Sequence, residues 1–193
     1  SDQSQCNEAD GLVIDLDAGE EVTCTFTNRP DQQEPPVCEL GDNLLENGSF
    51  EDPVVNDNGG DWELFDSIPG WVSNLLTDGI ELQRGLFGGA SDGEQHAELD
   101  VKESTSLTQT VTTIPGATYE LTFDLSARDT NEANNAVEVT ADGNVLVNQS
   151  TNNEDWVEYG NTFVAAGIAT DITFRDLGTS DGTGTLIDNA VLC

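Results

Sequence analysis

Positive charge is scarce in this sequence. Five Lys and Arg stand against 38 Asp and Glu, which leaves a formal charge of -33 over 193 residues. Nucleic acid and anionic membrane surfaces are therefore excluded as partners, because each would meet a field of its own sign. No apolar run approaches the ~20 residues needed to cross a bilayer, so no membrane insertion is expected. The chain opens without a basic-then-apolar leader, and its first residues read as the interior of a longer protein. With a single histidine, His96, and no Cys-x-x-Cys, a zinc site is a poor fit. Nucleophile elbows, phosphate-cradling loops and dinucleotide fingerprints are also missing. Only a two-carboxylate glycosidase passes by inventory, and the scaffold and small size favour a chain that is not an enzyme. The acidic excess itself fits either a saline environment or bound divalent cations, and charge alone does not choose.

Four cysteines are present: Cys6, Cys24, Cys38 and Cys193. An even count without metal-site spacing points to two disulfides and to a secreted, extracellular or cell-surface setting. Pairing Cys6 with Cys24 would clamp a local hairpin, and Cys38 with Cys193 would join the first and last strands of the main domain. The other two connectivities stay open. Residues 1–29 form a β-hairpin unit, with Leu12–Leu16 and Val22–Phe26 flanking the turn-like Asp17-Ala18-Gly19-Glu20. Residues 30–37 hold three prolines and no hydrophobic pattern, the composition of a linker.

From Cys38 onward, residues 38–193 alternate in the period of strands. Tyr119, Leu121, Phe123 and Leu125 face one way, and Glu120, Thr122 and Asp124 the other. Val137 and Val139 lead into the turn Ala141-Asp142-Gly143-Asn144 and then Val145-Leu146-Val147. Strands are expected again over Ile168–Phe174 and Thr185–Leu192. The fold class is all-β: a two-sheet antiparallel β-sandwich or jelly roll with an N-terminal β-hairpin appendage.

Two resemblances sharpen this reading. Ala18 to Asn28 resembles the closing strands of prealbumin-like repeats in bacterial surface proteins. Asn43-Leu44-Leu45-Glu46-Asn47-Gly48-Ser49-Phe50-Glu51 resembles the opening of the galactose-binding-like jelly rolls, a group with many carbohydrate-binding modules. Ile68-Pro69-Gly70-Trp71, Ile80-Glu81-Leu82, Asp92 to Asp100, Leu107 to Val111, Pro115 to Tyr119 and Leu186 to Leu192 continue the match in order. It implies a structural calcium held by Glu51, Asp188 and a backbone carbonyl such as that of Gly48, all oxygen donors. The alternative is that both acids simply bond backbone amides.

A second set of residues follows from strand alternation. If the Ile80 and His96 strands pair, one sheet face carries Glu81, Gln83, His96, Glu98 and Asp100, with Arg128 as a cationic anchor. Trp156, with Trp62 and Tyr159, is expected as an exposed stacking plate, whereas Trp71 is expected to be buried. Such a face suits a glycan or cell-surface polysaccharide, and equally a buried ion-pair network or a solvated outer face. The function expected is a non-catalytic carbohydrate-binding or adhesion module. A structural subunit of an extracellular filament, sheath or surface layer, self-assembling through the N-terminal hairpin, is the alternative.

Overall fold

The computed structural model describes residues 43–56 and 61–193. The hairpin at 1–29, the linker at 30–37 and Cys6, Cys24 and Cys38 lie outside the described residues. Cys193 is disulfide-bonded.

Twelve strands build two antiparallel sheets, and no helix occurs among the described residues. The strands are β1 (Asp61–Phe65), β2 (Ser67–Ile68), β3 (Trp71–Ser73), β4 (Ile80–Arg84), β5 (Gln95–Glu98) and β6 (Ser106–Thr112). They continue with β7 (Thr118–Ser126), β8 (Ala136–Ala141), β9 (Asn144–Ser150), β10 (Val157–Val164), β11 (Ala169–Asp176) and β12 (Leu186–Leu192). Sheet one runs β1-β4-β5-β12-β7-β10, and sheet two runs β2-β3-β6-β11-β8-β9. This is a two-sheet β-sandwich of jelly-roll type.

Alternation builds the core. Along β7, Tyr119, Leu121, Phe123 and Leu125 are buried, and along β11 so are Thr170, Ile172, Phe174 and Asp176. An aromatic line crosses between the sheets, with Phe50–Trp71 centroids at 5.5 Å, Trp71–Phe174 at 5.7 Å and Phe123–Phe174 at 5.0 Å. Burying each such ring contributes about 1.5–3 kcal/mol. Trp71 is fully buried, and its indole N–H donates to the Asn47 carbonyl at 3.1 Å.

The opening segment runs beside the last strand. Leu44 N donates to Leu192 O at 3.0 Å, Ala190 N to Gly48 O at 2.9 Å, and Leu192 N to Asn43 Oδ1 at 2.9 Å. The two ends of the domain are thus neighbours, and Glu51 and Asp188 are both brought to the turn that precedes β5.

Candidate functional site

In an ordinary sandwich the outer face of a sheet is wet. Here the outer face of sheet one is buried over β4 and β5 and over Asp188 and Asp124 beside them. β4 pairs with β5 in the register Glu81↔Glu98, Leu82↔Ala97, Gln83↔His96, so Leu82 and Ala97 face the core while Glu81, Gln83, His96 and Glu98 share the opposite side. All four are nonetheless buried. The cause is residues 85–94, a glycine-rich segment laid across the sheet like a strap. Its Ser91 and Asp92 backbone N–H groups donate to Asp188 Oδ2 at 2.7 and 2.9 Å, and its Ser91 hydroxyl bonds Asp124. Glu94 and Gln95 donate backbone N–H groups to Glu51 Oε1 at 2.7 and 2.8 Å.

Beneath and beside the strap lies a continuous polar network. Gln83 Nε2 donates to Glu81 Oε1 at 2.8 Å and to Glu98 Oε2. With its amide nitrogen so directed, the Gln83 oxygen faces His96 Nε2 at 3.1 Å and accepts a hydrogen bond from it. His96 is thereby fixed as the neutral Nε2–H tautomer, and burial pushes its pKa down to about 4. Glu98 Oε1 receives Arg128 Nη1 at 2.6 Å and the Gly184 N–H at 2.8 Å. Burial nevertheless pushes Glu98 up to about 8, with Glu81 adding repulsion, and Glu81 is raised too, chiefly by burial. At neutral pH this pair holds a proton.

One side of the network opens to solvent as a cleft of about 500 Å³, in the range of small-ligand sites. Its floor holds Glu81, Gln83 and Arg128, and its walls include Trp62, Phe87 and Lys102. Trp62 stands opposite Gln83 across the β1–β4 ladder, so its ring lies on the cleft side, and it is 53% exposed. Phe87, on the strap, is 42% exposed, and the Arg128 guanidinium sits 4.8 Å from its ring centre.

The face expected from alternation therefore assembles in part. Glu81, Gln83, His96, Glu98 and Arg128 come together, although His96 and Glu98 are sealed beneath the surface. Asp100 lies beyond β5, which ends at Glu98, and meets the group through the next loop: it accepts the Asp181 and Gly182 N–H groups at 2.7 and 2.9 Å, and the Gly182 carbonyl accepts from Arg128 Nη1. Trp156 is a strut and not an exposed plate: its indole N–H donates to Gly89 O at 3.0 Å, and its ring meets His96 edge-on at 5.5 Å. Tyr159 lies against Phe123 at 6.4 Å, partly buried on the core. Phe87 and Lys102 carried no signal in the sequence, because each reaches the cleft from a loop.

The metal set needs its own test. Asp188 is fully buried and pushed up to about 7 by that burial, and three backbone N–H groups, those of Ser91, Asp92 and Asn189, offset part of the cost. Glu51 holds two more, and the Gly48 carbonyl is taken by Ala190 N. Around both acids the 91–95 segment therefore presents N–H donors where calcium requires carbonyl or carboxylate lone pairs. The arrangement is an amide cradle and does not fit a cation at Glu51 and Asp188. Among the described residues, no three Asp, Glu, His or Cys side chains converge as a metal cluster.

The described residues form a two-sheet β-sandwich of jelly-roll type, a fold shared with the solved structures named below. The chain belongs to the family described as "Protein of unknown function (DUF642)", which matches residues 43–192. It is 30% identical over 143 residues to the multifunctional-autoprocessing repeats-in-toxin of Vibrio cholerae serotype O1, a match covering 72% of this chain and 3% of that protein. The chain thus spans a small fraction of the curated relatives it matches. Among solved structures it resembles the cleaved adhesin domain of Lys-gingipain from Porphyromonas gingivalis, with TM-score 0.52, 16% identity and coverage of 69% of this chain and 97% of that one. It also resembles a carbohydrate-binding module, TmCBM61, solved with β-1,4-galactotriose, with TM-score 0.49, 18% identity and coverage of 78% and 97%.

Proposed function

We propose that the cleft beside Trp62 binds a glycan, and that the chain is a non-catalytic carbohydrate-binding or adhesion module working outside the cell. The observation that carries this reading is the pairing of half-exposed aromatic rings, Trp62 and Phe87, with a fixed polar floor of Glu81, Gln83 and Arg128. Sugar rings offer both an apolar C–H face for stacking and hydroxyls that need donors and acceptors. With a formal charge of -33, the molecule favours a neutral glycan over a polyanionic one. The disulfide at Cys193 suits an oxidising, extracellular setting.

Catalysis is disfavoured by how the two glutamates are held. A glycosidase needs two carboxyl groups that can reach opposite sides of a substrate bond. Glu98 is fully buried, with one oxygen on Arg128 and the Gly184 N–H and the other on Gln83, so no face is left for a substrate. The support for self-assembly rested on the N-terminal hairpin, which lies outside the described residues.

The test is a glycan array followed by calorimetry on the best ligand. Trp62→Ala is expected to weaken binding about tenfold or more, the scale of losing one stacking partner. Absence of any glycan ligand, or affinity unchanged by Trp62→Ala, would overturn the assignment.

A further inference from the structure

Away from the cleft, one end of the sandwich buries oxygens that have no donor. Asp176 closes β11 on its inward-facing side, and Asp100 follows β5; both are buried, as is Thr185 just before β12. Asp100 Oδ2 accepts the Asp181 and Gly182 N–H groups, and Asp176 Oδ1 accepts the Gly178 N–H at 3.1 Å. Asp100 Oδ1, Asp176 Oδ2 and Thr185 Oγ1 are each buried without a hydrogen-bond partner. Buried polar atoms are almost always satisfied, so three orphans in one region call for an occupant.

The region is a single stitched unit. Asp100 pairs with Ser104 across an isolated bridge, Asp176 N donates to Thr105 O at 2.9 Å, and Leu99 N donates to Thr185 O at 3.1 Å. The Ser104 N–H donates to Ser180 Oγ at 3.0 Å. No Lys or Arg among the described residues bonds Asp100 or Asp176. The four described Lys and Arg residues pair elsewhere: Arg84 with Glu94, Lys102 with Asp78, Arg128 with Glu98 and Arg175 with Glu138. Two buried carboxylates without a counter-charge are strongly unfavourable.

We propose that this end of the sandwich binds a calcium ion through the Asp100 and Asp176 carboxylates, with the hydroxyls of Ser104 and Thr185 beside them. The donor set is all oxygen and mixes carboxylate with hydroxyl, as calcium accepts, and water completes the shell. The two free oxygens come from different sheets, so the ion ties the β5–β6 turn and the 177–184 loop to both layers. The proposed ligands do not line the cleft, although Gly182, which donates to Asp100, does.

The experiment uses the full chain stripped with a chelator, at constant ionic strength set with choline chloride so that surface screening does not vary. Calorimetric titration with calcium is expected to show one saturable site, and calcium to raise the melting temperature. Asp100→Asn and Asp176→Asn should each lose the site, whereas Glu51→Gln should keep it. Without calcium, Asp176→Asn should melt at or above the unmodified chain, since it removes a buried charge while keeping the Gly178 hydrogen bond. A calcium response that survives Asp176→Asn, that magnesium reproduces equally, or that is absent altogether would overturn the proposal. So would a calcium-free Asp176→Asn that melts lower, because the buried charge would then have been compensated already.

Discussion

The amide of Gln83 holds three ionisable side chains in register. Its nitrogen serves Glu81 and Glu98, whose charges act on one another, and its oxygen serves His96, which burial holds neutral. The consequence is a stability that depends on pH in an unusual direction. Glu98 and Asp188 keep their protons in the fold up to about 8 and about 7, whereas their ordinary values are 4.5 and 3.8. The stability they contribute is complete below those ordinary values and is lost as pH rises through the folded ones. His96 acts in the opposite sense, but only below its ordinary value of 6.5. Between 6.5 and 8, therefore, the carboxyls act unopposed. Melting in high salt, which screens surface repulsion, should show stability falling across that window by on the order of 1 kcal/mol. A Glu98→Gln variant should flatten the profile. A melting temperature that rises over the same interval would contradict the account.

At the level of elements, the strap of residues 85–94 turns a sheet face into a site. It is held at one end by the amide cradle over Asp188 and Glu51 and in its middle by Trp156. Gly93 shows how closely that cradle fits. It has φ +73°, and a Cβ there would strike the Glu51 carboxylate. Gly88, with φ +88°, would meet nothing within 4 Å. Both alanine substitutions incur the left-handed backbone penalty of about 1–2 kcal/mol, but only Gly93→Ala also breaks the cradle. Chemical denaturation should find Gly93→Ala the more destabilising by about 1 kcal/mol or more, and equal losses would argue against the cradle.

Strand periodicity made much of this legible in advance. The alternation of Thr118–Ser126 and the pairing of Glu81 and Gln83 with His96 and Glu98 follow from a period of two. Periodicity tells which side chains share a face, not what lies over it. The strap comes from a segment with no periodic signal, so the burial of His96 and Glu98 was hidden, as was the role of Trp156, which reaches Gly89 from 67 residues away. Asp100 lies two residues beyond the end of β5, and its link to Arg128 runs through the Gly182 backbone, which periodicity does not show. The amide cradle was missed because backbone N–H groups leave no mark in a sequence, so Glu51 and Asp188 looked like metal ligands.

For the whole molecule, charge and shape set what the cleft can meet. A chain with a net charge of -33 repels polyanions at low salt, yet two of its cations, Lys102 and Arg128, line the cleft. Trp62, the most exposed aromatic ring among the described residues, stands at the same place. The central claim is that this cleft is where a glycan docks. The most direct test is to follow the backbone amides by nitrogen-15 NMR while titrating an oligosaccharide selected by array. The account expects the perturbed amides to cluster at Trp62, Glu81, Gln83, Phe87 and Arg128, with Trp62→Ala removing the response. Perturbations centred on the outer face of sheet two, or on the β9 edge, would contradict it.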